Sequence, residues 1–235
     1  MLEQYENGFA SAYVRGYAKR KDPGLLPGTL LETPLAELTG EETAAIIQAG
    51  SGAELRMYHF KKKEPLPRVK AVIGMLKGLQ PESLLDVGSG RGVFLIPFLK
   101  EFPWVPVTAA DVLPHRVEMM RCLAEGGVKH LHPIMADICT QPLEENSVDV
   151  VTMLEVLEHI PDVQAAVTAA ARIARRYVVA TVPSRPDDNP EHIHLLTKPV
   201  LTELFQNAGC DRLHFSGVPG HLILAAAVSQ EGQNE

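Results

Sequence analysis

From about residue 68 onward the sequence alternates between short apolar runs and longer segments of helical period, and this alternation limits the fold more than any other feature. The strand-like runs are SLLDVG, VPVTAAD, HLHPIMAD, SVDVVTML and RYVVATVP. Between them lie GVFLIPFLKEF, LPHRVEMMRCLAEGG, PDVQAAVTAAARIA and KPVLTELFQNAG, with RVKAVIGMLKGL leading in. Strands that alternate with helices pair in parallel through crossovers, which covers both faces of the sheet. CDRLHFSG and HLILAAAV follow one another directly and predict a hairpin that makes one edge antiparallel. Pro97 is admissible only in the first turn of its helix, and Pro133 weakens HLHPIMAD as a strand.

The first 65 residues read differently, with proline and glycine in KDPGLLPGTLLETP. A short helix is predicted at TGEETAAIIQAG, where Thr39 caps it and Glu42 closes a capping box. Tyr5, Phe9, Tyr13 and Tyr17 recur at roughly helical spacing and predict the apolar face of an N-terminal helix. The expected organisation is a helical or irregular cap over the active cleft at 1–65, a main domain at 66–229, and a frayed polar tail at 230–235. The formal net charge of −7 argues against a bulk polyanion binder. It leaves room for a local basic segment: Arg56, His59, Lys61, Lys62, Lys63, Arg68 and Lys70. Cys122, Cys139 and Cys210 form no CxxC pair and read as reduced thiols. No run reaches the roughly 20 apolar residues of a membrane span, and the N-terminus lacks a signal-peptide core. A cytoplasmic protein without membrane association is expected.

LLDVGSGRG, at 84–92, is the densest motif. A strand, a glycine-rich turn and a helix make a cradle for a nucleotide-like ligand, with backbone N–H groups able to face it. The glycines are spaced G-x-G-x-G, and Val93 stands where the dinucleotide fingerprint needs its third glycine. Asp86 lies two residues before the first glycine, where a carboxylate repels a pyrophosphate and attracts a cation. Both details disfavour a nicotinamide oxidoreductase. Asp111 ends the next strand and can accept ribose hydroxyls; Asp137 ends the third and can reach an adenine amino group beside Ile138.

LLDVGSGRG, AADVLPHRVEMM, MADI and VDVVTMLEVLEHIPD together resemble the sequential motifs of class I S-adenosylmethionine-dependent methyltransferases of the type 11/12 kind, over roughly 68–228. The resemblance implies a doubly wound, Rossmann-like α/β fold with seven mostly parallel strands ordered 3-2-1-4-5-7-6 and an N-terminal helical extension. It implies S-adenosylmethionine contacts at Asp86, Gly88, Ser89, Gly90, Gly92, Asp111, Val112, Asp137, Ile138 and Glu155. It places the acceptor beside Glu155, His159 and His194, and leaves the acceptor itself unresolved. The LKPGG-like turn that many relatives carry before the fifth strand is missing from IARRYVVATVP.

EVLEHIPD and NPEHIHLLTK add a second constellation. Glu155, Glu158 and His159 share a face if their turn is helical, and His192 and His194 follow the fifth strand. The pattern is similar to that of small-RNA 3′-terminal 2′-O-methyltransferases. That similarity implies a divalent metal on Glu155, Glu158, His159 and His194, with RNA as partner. A generic acceptor pocket without metal is the competing reading, and a non-catalytic S-adenosylmethionine-binding module is a third. His214 and His221 read as ordinary strand residues.

Overall fold

The computed structural model describes residues 5–141, 143–186 and 188–229. The tail expected to fray, 230–235, lies outside them. The N-terminal region holds helices α1 (Asn7–Lys21), α2 (Gly28–Glu32) and α3 (Gly40–Gly52) and a 3-10 turn at Met57–Phe60. Then come α4 (Pro67–Leu79), β1 (Leu84–Val87), α5 (Leu95–Glu101), β2 (Val107–Asp111), α6 (Pro114–Glu125) and β3 (Leu131–Met135). The chain continues through β4 (Val148–Leu154), α7 (Val163–Ile173), β5 (Ala174–Pro183), α8 (Lys198–Asn207), β6 (Cys210–Val218) and β7 (His221–Val228).

The sheet has seven strands in the order β3-β2-β1-β4-β5-β7-β6. β1 to β5 pair in parallel, and β7 runs antiparallel to both β5 and β6. Alternate residues of one strand serve opposite faces. Leu84 and Val150 pack with α4, α5 and α6, whereas Leu85 and Val151 pack with α7 and α8. Both faces are therefore covered, as the alternation of elements demands. The order reverses between β1 and β4, and the loops leaving the carboxyl ends of these strands part there to open a crevice. Pro97 falls in the first turn of α5, and Pro133 sits in β3 next to Ala109 of β2.

The N-terminal helices share one continuous apolar core with the α4–α6 face. The capping box at α3 is complete: Glu42 N–H donates to Thr39 Oγ1 at 3.2 Å, and Thr39 N–H donates to Glu42 Oε2 at 2.8 Å. The aromatic stripe of α1 departs from expectation. Phe9, Tyr13 and Tyr17 are only half-buried, and the fully buried face is Ala10, Ser11, Ala12, Val14 and Ala18. The cause is backbone contact with α6. A Cβ on Gly16 would lie 1.8 Å from the Cys122 carbonyl oxygen, and one on Gly126 would lie 1.7 Å from that of Ala12. Arg20 then straps α1 to Glu118 at 2.9 Å and to Glu125. Among the described residues, none of this layer is in the lining of the crevice, which begins at Arg68.

Candidate active site

The crevice is a cleft of about 840 Å³ at the carboxyl ends of β1 to β4. Its floor is the loop after β1, where Gly88, Gly90 and Gly92 adopt φ of 68°, 56° and 76°. Any side chain is strained there. A Cβ on Gly88 would also come within 2.6 Å of Val156, whereas one on Gly90 would have no atom nearer than 3.5 Å. Gly90 is thus the glycine whose bareness opens onto ligand space. Four of the five loop amides from Gly88 to Gly92 are engaged within the protein. Gly88 and Ser89 N–H donate to the Ala110 carbonyl, Gly92 N–H to Ser89 O, and Gly90 N–H to Asp111 Oδ2 at 2.8 Å. Four amides that a pyrophosphate would need are occupied, in contrast to the sequence expectation that they face the ligand.

Asp86 is 2% exposed, and its Oδ1 accepts the Thr152 hydroxyl of β4 at 2.8 Å. Oδ2 is buried without a hydrogen-bond partner. Burial pushes this carboxyl up to about 7; the Ser89 and Thr152 hydroxyls pull it back, and the Asp111 charge adds to the rise. Asp111 is held by backbone amides, Oδ2 from Gly90 and Oδ1 from Leu113 at 2.9 Å, with Arg116 Nη1 at 3.6 Å. A carboxylate has about four lone-pair positions, so each oxygen of Asp111 can still accept one more donor. Asp137 Oδ1 accepts the Cys139 N–H at 2.9 Å, which fixes the turn that brings buried Ile138 to the cleft wall. Val112, 58% exposed, also lines the cleft. The Cys139 thiol in the lining is pushed up, by burial first and Asp137 second, which disfavours the thiolate a nucleophile needs.

Beyond β4, Glu155 takes a left-handed conformation (φ 56°) and its N–H donates to Thr181 O at 2.9 Å. Its Oε1 accepts the Thr181 hydroxyl at 2.8 Å; its Oε2 lies 3.0 Å from His221 Nε2 and 3.7 Å from Arg68 Nε. Three elements, β5, β7 and α4, thus fix one carboxylate at the cleft edge. The next turn, Leu157–His159, is zipped to the loop after β5. Ile193 N–H donates to Glu158 O at 3.0 Å, His159 Nδ1 lies 3.0 Å from Glu191 O, and His194 Nε2 lies 3.1 Å from Ile160 O.

Asp86, Gly88, Ser89, Gly90, Asp111, Val112, Asp137, Ile138, Glu155 and His159 all line the cleft. Gly92, Glu158 and His194 are not in its lining. Gly92 shapes the turn against Ile96 instead. The implied metal set is corrected. Donor atoms of Glu158, His159 and His192 lie within 4.8 Å of one another, and Glu155 and His194 are not in that group. The turn Leu157–His159 is a single 3-10 turn preceded by the left-handed Glu155, so positions 155 and 158 do not share an α-helical face. Sequence reading also missed Thr152, Thr181, Arg116 and His221. The threonines had a visible signal, a hydroxyl inside an otherwise apolar strand. His221 had none, because its partner is 66 residues away in the chain.

The family model described as "Methyltransferase domain" matches residues 59–214. Among curated relatives, the ubiquinone biosynthesis O-methyltransferase of Klebsiella pneumoniae is 32% identical over 104 residues, which cover 42% of this chain and 40% of that one. The chain thus spans about two fifths of the length of the curated relatives it matches. Among solved structures, a SAM-dependent methyltransferase from Aquifex aeolicus superposes with a TM-score of 0.54 at 19% identity, over 72% of this chain and 100% of that one. The 1,6-didemethyltoxoflavin-N1-methyltransferase of Burkholderia thailandensis, solved with S-adenosylhomocysteine, gives 0.54 at 18% identity, over 70% and 79%. These structures share the fold, and the family match spans more than half of the chain. With a seven-stranded sheet in the order 3-2-1-4-5-7-6 and a glycine loop flanked by two buried aspartates, this chain belongs to the methyltransferase-domain family.

Proposed function

We propose that the chain transfers a methyl group from S-adenosylmethionine to a nucleophile held beside Glu155. The observation that carries this reading is Asp86: a buried carboxylate with one oxygen left over, facing a cleft whose loop amides are taken. Such a site suits a cationic, phosphate-free nucleoside and fits a phosphorylated one poorly. When bound, S-adenosylmethionine supplies an activated methyl group on sulfur. Asp86 would attract the positive amino-acid end, and Asp111 would accept the ribose hydroxyls. Val112 and Ile138 would sandwich the adenine, with Asp137 at its amino edge. Holding the two reactants in line is worth about 7–11 kcal/mol by itself. Glu155, pinned by Thr181, His221 and Arg68, would take the proton that the acceptor loses as its lone pair attacks.

Calorimetry with S-adenosylmethionine tests the reading first, and no binding overturns it. Glu155→Gln is expected to lower kcat about tenfold or more while leaving S-adenosylhomocysteine affinity within about twofold. Binding without turnover against any acceptor pool would instead favour a non-catalytic module. Three free thiols, Cys122, Cys139 and Cys210, support a reducing, cytoplasmic setting. Among the described residues no helix is long and apolar enough to cross a membrane.

One observation supports a second reading, a divalent metal at the acceptor side as in RNA ribose methylation. One carboxylate and two imidazoles, Glu158, His159 and His192, form a donor set that suits such an ion. With Nδ1 of His159 facing the Glu191 carbonyl, its Nε2 is left as the ligand atom. The ion would act as a Lewis acid on the acceptor hydroxyl. Metal content of the purified protein, compared with Glu158→Gln, decides it; equal and negligible content removes this reading.

A further inference from the structure

In a chain of net charge −7, cations that meet no carboxylate are informative. Arg20, Lys70, Lys77, Lys100, Arg172 and Arg176 each pair with one. Among the described residues Arg56, Lys61, Lys62, Lys63 and Arg91 have no carboxylate within ion-pair distance. The fold brings three of these, Arg56, Lys63 and Arg91, around one imidazole, His59. Arg56 and Lys61 to Lys63 flank the turn Met57–Phe60, which is anchored in the core by buried Met57 and Phe60. His59 in that turn lies within electrostatic range of Arg56, Lys63 and Arg91. Arg91 belongs to the glycine loop and lines the cleft. The anchored turn thus brings its positive charge near Arg91, which carries it into the cleft lining. Nearby carboxylates do not neutralise it. Glu64 pairs with Lys70 at 2.5 Å, Glu6 with Lys100 at 2.9 Å, and Glu155 with His221 and Arg68. Burial, then Arg91, Lys63 and Arg56, hold His59 below its ordinary range, so the imidazole adds no charge near neutrality.

We propose that this patch binds the phosphate group of a small acceptor and points its nucleophile into the cleft. The inference rests on the methyl-transfer reading and deepens it by naming the acceptor class. Guanidinium and ammonium groups in one place bind phosphate through charge-assisted hydrogen bonds. A polyanion fits less well, since the net charge of the whole chain would repel phosphates running beyond the patch. Arg56 and Lys61 to Lys63 stand outside the cleft lining that Arg68, Arg91 and Arg116 share, which separates them from the cofactor's own contacts.

The test titrates glycerol 3-phosphate, and separately inorganic phosphate, into full-length protein saturated with S-adenosylhomocysteine. Saturable binding is expected, weakening about fivefold in Arg91→Gln and about twofold in Lys63→Gln. Raising salt should weaken it, and Arg121→Gln, on the exposed face of α6, should leave it unchanged. S-adenosylhomocysteine affinity, measured on each variant, reports whether the cofactor site is intact. Absence of phosphate binding beside normal S-adenosylhomocysteine binding overturns this inference and spares the methyl-transfer reading. So does competition between the two ligands, which would assign the patch to the cofactor's carboxylate. An RNA oligonucleotide that outbinds the monoester at equal phosphate concentration also overturns it. Failure of S-adenosylhomocysteine to bind sinks the methyl-transfer reading instead, and phosphate binding to the ligand-free variants then still tests the patch.

Discussion

Two buried aspartates sit at opposite edges of the same sheet, and the protein treats them differently. Asp149, near the start of β4, is 2% exposed. Its Oδ2 accepts the Glu82 N–H at 3.1 Å and Arg176 Nη1 at 2.9 Å. Its own N–H donates to Ser83 Oγ at 2.9 Å, and Arg176 reaches on to the Leu79 carbonyl at 3.0 Å. This carboxylate ties the end of α4 and the approach to β1 to β5. Asp86, near the end of β1, is buried to the same degree but has one oxygen that nothing in the protein satisfies. A carboxylate of the first kind stabilises the fold. One of the second kind costs stability unless a ligand fills it, and that imbalance is what makes the carboxyl edge the candidate working edge.

The strongest way to break the contrast is Asp86→Asn. We expect S-adenosylmethionine affinity at pH 7.5 to fall on the order of a hundredfold, read by calorimetry, because the partner of the positive end is gone. Stability should respond in the opposite sense. The folded carboxyl titrates near 7 and an unfolded one near 4. Its contribution is therefore most favourable below about pH 4 and is lost as pH rises to about 7. The Asn variant should lack that decline and be no less stable than the parent at pH 7.5. A loss of stability as large as that of an Asp149 variant would erase the distinction.

Asp149→Ala should do the reverse. It removes a buried partner from Glu82 and Arg176, and about 2 kcal/mol of stability should go in urea unfolding, discounted because Arg176 is partly exposed. S-adenosylhomocysteine affinity should be unchanged.

The finest test is Thr152→Val. The Thr152 hydroxyl favours the charged form of Asp86, so its loss should raise that carboxyl further. In the parent protein, S-adenosylmethionine should bind more tightly as pH climbs from 6 to 7.5, with proton release. In the variant this rise should move to higher pH, with affinity at pH 7 down by about threefold to tenfold. An unshifted profile would mean that Asp86 ionisation does not govern binding.

Much of the cofactor side was legible because it is local. Asp86, Gly88, Gly90 and Gly92 lie within seven residues, and each acid lies at or just past the carboxyl end of a strand that the apolar pattern already marked. The acceptor side was not, because it is assembled from loops distant in sequence. Glu155 looked like a metal ligand from its spacing to Glu158, yet it turns to Thr181 and His221. His192 and His194 were equivalent as letters, and the fold sends one to Glu158 and the other to the Ile160 carbonyl. The aromatic repeat of α1 was real, but the contact at Gly16 and Gly126 gave the buried face to small residues.

By itself the sequence determined the succession of strands and helices, the hairpin at the end, the bare loop after the first strand, and the acids placed along one edge. These are local properties: periodicity, turn chemistry and the reach of a side chain from its own strand. Only the tertiary structure decided that four of the loop amides are satisfied internally, that Asp86 keeps a buried oxygen without a partner whereas Asp149 Oδ2 holds Glu82 and Arg176, and that Arg56 and Lys63 come near Arg91 of the glycine loop. Those outcomes depend on which groups from separate elements meet at hydrogen-bond distance, and packing rather than local pattern sets that.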